Sequence, residues 1–202
     1  MAGGKELRGY ARGYVGADHP VMREVTAALE AATGRPLAGG KAPSGIDGCS
    51  IPTYGIPLRD LALGLARWGT GVGLSEGHAR AAAMLREAMA AAPFMIGGSG
   101  CFDTVAMERL RGRVFCKVGA EGVYCAALPQ RGLGLALKMD DGNNARACEV
   151  AMAALLEALA PLDDEDRTFL RGFSEHRMRN WNGIEVGTLR ASEGLRESLP
   201  SA

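Results

Sequence analysis

The sequence lacks most of the features that would point to a partner. Its 23 basic and 23 acidic residues cancel, so no net field steers it to nucleic acid or an anionic membrane surface. No apolar run is long enough to span a bilayer. The opening Met1-Ala-Gly-Gly-Lys-Glu-Leu-Arg lacks the apolar core of a secretion signal. The chain therefore reads as cytoplasmic. None of its five cysteines (Cys49, Cys101, Cys116, Cys125, Cys148) forms a Cys-x-x-Cys pair. In a reducing compartment they are thiols, metal ligands or small buried hydrophobes rather than disulfides. There is no phosphate-binding Gly-Lys-Ser/Thr loop, no dinucleotide fingerprint and no nucleophile elbow around Ser99. The three histidines, His19, His78 and His176, stand at no metal-ligand spacing and read as solvated or structural. No internal repeat is present.

What is present is glycine, 29 residues of it, gathered in loops such as Gly97-Gly98-Ser99-Gly100. The length of 202 residues allows one domain with a sizeable core. Residues 1–17 are glycine-rich and read as a lead-in. Asp18 is the expected cap of a first helix, with Pro20 in its first turn and Val21, Val25, Ala28, Leu29 and Ala32 on one face. Residues 46–54 read as a tight connection. Pro57 and Ser75 open two further helices, the second with Ala82, Leu85 and Met89 inward. A short helix is expected at 104–110.

Three strands follow, at 113–118, 122–128 and 132–139. In the third, Leu133, Leu135 and Leu137 alternate with smaller or polar residues. Helices at about 145–160 and 163–172 and a strand at 184–189 complete the domain. Residues 192–202 read as a disordered tail. Successive strands with short connections pair antiparallel, so the fold class is α+β, an antiparallel sheet packed with helices.

Three residues stand out chemically. Lys117 sits where a strand meets the glycines of Gly119-Ala120-Glu121-Gly122. An ammonium beside such a gap binds a carboxylate or lowers the pKa of a nucleophile, unless it is simply a solvated edge-strand lysine. Cys49 follows the Asp47-Gly48 turn and is a zinc ligand, a nucleophile or a structural thiol. Asp47 is its natural companion, if it is not merely a turn former. Cys116, Cys125 and Cys148 read as core.

Several stretches resemble one family in order. They are Asp18-His19-Pro20-Val21, Gly45 through Tyr54 with Pro57-Leu58, Gly97 through Thr104 with Met107, and Lys117 through Val123. Leu137-Lys138, Asp141-Gly142 and Arg146-Ala147 follow, then Asn180-Trp181 with Gly183 and Val186-Gly187. Together they resemble the bacterial asparaginase II group, the serine- and zinc-dependent type related to serine β-lactamases and glutaminases.

The resemblance implies a partial β-lactamase/glutaminase-like fold and hydrolysis of L-asparagine to aspartate and ammonia. Cys49 matches a zinc-ligating cysteine and Asp47 the aspartate that helps hold the site or substrate. Lys117 matches the lysine that pairs with a catalytic serine, and the Ala120 backbone N–H matches an oxyanion donor. Cys101 stands where the family usually has arginine.

The family's Ser-x-x-Lys motif and its Cys-Ser-Gly-Lys-His segment are both missing from this sequence. The resemblance thus implies a C-terminal portion, with 18–191 as its body. Such a chain would self-associate or need a complementary N-terminal chain; the alternative is a non-catalytic truncated remnant or interaction module that needs a partner chain for turnover. An unrelated thiol or metal-binding module using Cys49 and Cys101 is the remaining alternative.

Overall fold

The computed structural model describes residues 9–199. A small hairpin, β1 (Ser44–Ile46) and β2 (Pro52–Tyr54), lies between helices α1 (Pro20–Thr33) and α2 (Leu58–Thr70). Helices α3 (Glu76–Ala91), α4 (Phe94–Gly97) and α5 (Phe102–Leu110) lead into the central sheet. That sheet is antiparallel, in the order β3 (Phe115–Val118), β4 (Val123–Leu128), β5 (Leu133–Lys138). Helices α6 (Glu149–Leu159) and α7 (Asp164–Ser174) follow, then hairpin β6 (Glu175–Arg179) and β7 (Glu185–Arg190) and helix α8 (Glu193–Glu197). The architecture is α+β, with antiparallel sheets packed by helices, and each predicted strand of the central sheet is present within its predicted span.

Helix α2 covers one face of the sheet by backbone approach rather than by bulk. A Cβ on Gly134 would collide with Ala62 O and stand 2.5 Å from Ala66 N, both on the helix. A Cβ on Gly69 would reach Ala127 Cβ at 3.1 Å. With the helix held this close, Trp68 packs edge-on to Phe115, ring centroids 5.5 Å apart. The other face meets α5, α6 and α7, where Met107, Leu110, Met152, Leu156 and Leu170 are fully buried with Cys116 and Cys148. Each such side chain contributes about 1.5–3 kcal/mol of transfer free energy. One ion cluster ties α5 to α7. Asp166, 2% exposed, accepts from Arg109 Nε at 2.7 Å and pairs with Arg113 Nη1 at 2.5 Å. Two guanidiniums make that buried carboxylate tolerable.

Several sequence expectations are corrected. His19, not Asp18, caps α1: its Nδ1 accepts from Val21 N–H at 3.1 Å, because Pro20 is the first helical residue and the cap is the residue directly before it. The face of α1 that is buried carries Met22, Thr26 and Thr33, while Val25 is exposed. On α3 only Ala82 is buried and Leu85 points outward. The 46–54 connection is a turn, as predicted, but with two three-residue strands flanking it. The helix expected at 145–160 is split. Asn144–Cys148 forms a π-type turn and the α-helix starts at Glu149. A second strand, β6, pairs with the predicted last strand. Of the expected tail, Ser192 caps α8 through Leu195 N–H, and residues 200–202 lie outside the described ones. Of the expected lead-in at 1–17, residues 9–10 are helical, 11–17 form turns and a bend, and 1–8 lie outside the described residues. No helix among the described residues is long and apolar enough to cross a membrane.

Two tests follow from this packing. Gly134→Ala is expected to lower the unfolding free energy by about 3 kcal/mol, since α2 must lift off β5. An unchanged denaturant midpoint would contradict the close approach. The second test concerns Asp166. Burial opposes its ionisation, but the Arg113 and Arg109 guanidiniums outweigh that and hold its pKa below the usual value. A depressed carboxylate pKa gives stability that is present above the unfolded value of about 3.9 and is lost as pH falls through the folded one. Asp166→Asn should therefore lower the thermal midpoint at neutral pH and flatten its decline in acid. Parallel acid limbs in the two proteins would refute this.

Candidate functional site

The central sheet ends at a carboxylate. Asp103, in the first turn of α5, is 1% exposed. Its Oδ2 accepts from the Val118 N–H at 3.0 Å, and its Oδ1 accepts from the Tyr124 hydroxyl. Lys117 Nζ lies 3.6 Å from Oδ2 and donates to Val118 O at 2.8 Å. The strand register explains this. β3 is an edge strand, and Gly119 N–H bonds to Val123 O at 2.8 Å. Alternation then turns the Val118 backbone away from β4, and Asp103 takes the donor that the edge would leave unpaired. Gly97 holds the carboxylate in place from behind, since a Cβ there would stand 3.0 Å from Asp103 Cβ.

The turn after Lys117 is clamped. Asn144 Nδ2 donates to Gly119 O and Asn144 Oδ1 accepts from Gly122 N–H, each at 2.6 Å. Gly122 adopts φ 72°, and a Cβ there would reach Met139 Cβ at 3.0 Å. Ala120 is exposed, and its N–H makes no hydrogen bond among the described residues. Asp103, Tyr124, Val118, Asn144, Cys101, Phe102 and Glu149 line a cavity of about 170 Å³. Burial, the adjacent Cys116 thiol and the Asp103 hydrogen bond push the Tyr124 phenol far above its usual pKa. Burial, then the charge of Asp103, raises the Cys116 thiol well above its usual value. Burial and the charge of Asp103 also raise the Glu149 carboxyl, against a weaker opposing effect of His176.

Of the residues expected from sequence, the structure brings Lys117 and Ala120 together on this turn. Asp47 and Cys49 lie elsewhere, exposed on the β1–β2 turn. Asp47 Oδ1 accepts from the N–H groups of Cys49 at 2.8 Å and Ile51 at 3.2 Å, which shapes the turn. No hydrogen bond or ion pair joins them to Lys117 or Asp103 among the described residues. Nor do three His, Cys, Asp or Glu side chains gather anywhere among those residues as a metal site would require.

Asp103, Tyr124, Asn144 and Glu149 were not found from sequence as site residues. The available signals were an acid just after a glycine loop and a tyrosine inside an otherwise apolar strand, each needing a partner.

A family model described as L-asparaginase II matches residues 1–191. No curated protein matches the chain.

Three outcomes test the site's geometry. Asp103→Ala is expected to cost about 2–4 kcal/mol, because it strands the Tyr124 hydroxyl and Val118 N–H. A cycle with Tyr124→Phe should show coupling between the two, and additive losses would contradict the contact. A raised phenol pKa gives stability that is fully present below the unfolded pKa of about 10 and is lost as pH rises past it. Tyr124 should therefore resist ionisation until alkaline unfolding, and Tyr124→Phe should delete that late phenolate signal. Thiol reagents should label exposed Cys49 and Cys101 promptly and buried Cys116 and Cys148 only on unfolding. Cys125, half-buried with its pKa raised to about 11 by burial, belongs with the slow group.

Proposed function

Because the chain belongs to the L-asparaginase II family, we propose that it is an amidohydrolase that splits the side-chain amide of L-asparagine into aspartate and ammonia. The observation that carries this reading is Lys117, held beside buried Asp103 at the mouth of a clamped turn whose Ala120 N–H is unengaged among the described residues.

An attacking hydroxyl adds to the amide carbon, its proton passing to the leaving nitrogen. The oxyanion is received by the Ala120 N–H. Ammonia departs, and water then cleaves the acyl ester to aspartate and the free hydroxyl. In this scheme Lys117 lowers the pKa of the attacking hydroxyl. Among the described residues Lys117 Nζ makes no hydrogen bond to a serine. The hydroxyl therefore has to be brought to it by rearrangement of this chain, by a second copy or by a complementary chain.

That requirement favours a second reading, a chain inactive alone that forms its site with a partner chain. In this proposal Asp47 contacts substrate from the β1–β2 turn, and Cys49 is the thiol offered to zinc. Among the described residues Cys49 belongs to no group of three His, Cys, Asp or Glu side chains that could hold a metal, so the residues present do not fit zinc and no step of the reaction is routed through it.

Ammonia release from L-asparagine, with L-glutamine as the comparison and with and without added zinc, tests the proposal. Lys117→Ala should reduce turnover by about 100-fold or more. Turnover that survives Lys117→Ala would overturn the role given to this lysine. No turnover from the folded chain, restored by a complementary chain, would establish the second reading.

A further inference from the structure

Lys117 also borders a second, larger space. On the α2 side of the sheet, a groove of about 530 Å³ runs between α1, α2, α3 and α4 and the edge strand β3. This volume falls in the range of small-molecule sites, about 300–1,000 Å³. Leu29, Leu61, Leu65, Trp68, Met89 and Ile96 supply much of its wall, and among the described residues Lys117 is the one charged residue lining it.

The ammonium is half exposed. It carries three donors and spends one on Val118 O. Its 3.6 Å separation from Asp103 is longer than a hydrogen bond. It therefore has donors to offer a ligand. Among the described residues no acidic side chain lines the groove; the nearest carboxylate, Asp103, stands 3.6 Å behind the ammonium and is bonded to the Val118 N–H and the Tyr124 hydroxyl.

We infer that the groove binds a carboxylate with an aliphatic tail, the head group on Lys117 Nζ and the chain along Leu65, Trp68 and Ile96. An apolar wall with the Lys117 ammonium at its mouth selects for that class. It gains apolar burial from the tail and a charge-assisted bond from the head. A zwitterion such as free asparagine gains little from the wall. The inference goes beyond the amidohydrolase reading and does not rest on it.

The chain holds only two tryptophans, Trp68 in the groove wall and Trp181, fully exposed on the β6–β7 turn. In a Trp181→Phe background, Trp68 is a single reporter inside the groove. We expect decanoate, titrated below its micelle concentration, to shift Trp68 emission saturably, and acetate to leave it unchanged. Lys117→Met keeps the apolar stem and should weaken decanoate about tenfold, the weight of a ~1.4 kcal/mol head-group contact. It should leave decanol binding unchanged. Ala32→Phe, which fills the groove from α1, should weaken decanoate and decanol together.

Three outcomes would overturn the inference. They are equal binding of decanoate and decyltrimethylammonium, decanoate affinity indifferent to Lys117→Met, and no Trp68 response at all. In the last case a concentration-dependent dimer in sedimentation would assign the groove to a second copy of the chain. Decanoate binding without ammonia release would leave this inference standing while the amidohydrolase reading fails. Turnover without decanoate binding would do the reverse.

Discussion

A carboxylate that is 1% exposed must have its oxygens answered, and Asp103 is answered from three directions. The Val118 N–H comes from the outer edge of β3, the Tyr124 hydroxyl from β4 and the Lys117 ammonium from the end of the strand. The acid sits on α5, so it fastens a helix to the edge of the sheet and fills the place of a missing neighbouring strand. The glycine loop before it is part of the same device. Gly97 packs against Asp103 Cβ, and Thr104 Oγ1 returns to Gly98 O at 2.8 Å. Removing the Val118 or Tyr124 donor leaves a buried charge short of a partner, which costs more than the bond itself contributes.

The two faces of the sheet are held differently. The α5–α7 side relies on volume, with methionines and leucines interdigitated around Tyr124 and Cys148. The α2 side relies on the absence of volume at Gly134 and Gly69. The groove beside β3 opens where the helices stand off from the strand. Lys117 thus sits at the junction of a tightly packed polar cluster and an apolar cleft because β3 is the edge strand between them.

Much of this was legible from residue patterns. The alternation of leucines with small residues located β5, and the Gly119–Gly122 turn marked the β3–β4 hairpin. Ser75 and Pro57 marked the starts of two helices. Lys117 stood out because glycines leave space around it. What the sequence did not reveal depended on partners distant in the chain. Asp103 and Tyr124 are 21 residues apart, and neither has a local pattern that announces the other. The α1 face was misread because Thr26 is buried against Tyr54, whose hydroxyl lies 2.9 Å from Thr26 Oγ1 across 28 residues. The short strands β1 and β2 were missed because a glycine and a proline sit within three-residue runs. Asp47 and Cys49 carry the look of a site in sequence, yet the Asp47 carboxylate spends Oδ1 on the local turn. Their place relative to Lys117 is a matter of tertiary structure that spacing does not encode.

Magnitudes decide which of the three partners of Asp103 is free to do chemistry. Hydrogen bonds to a charged group are worth about 1.5–3 kcal/mol each, and the Val118 and Tyr124 donors meet the carboxylate inside the protein. A half-exposed ion pair at 3.6 Å is screened by water and contributes about 1 kcal/mol at most. The carboxylate is therefore anchored chiefly by the backbone of β3 and the phenol of β4. Lys117 can turn its ammonium to an incoming anion or hydroxyl at small cost while Asp103 stays fixed. A lysine bound more tightly would be a structural cation. One bound less tightly would lose the position that the turn gives it. The 3.6 Å separation lies between these cases, and it makes Lys117 the exchangeable member of a cluster whose other members are committed to the fold.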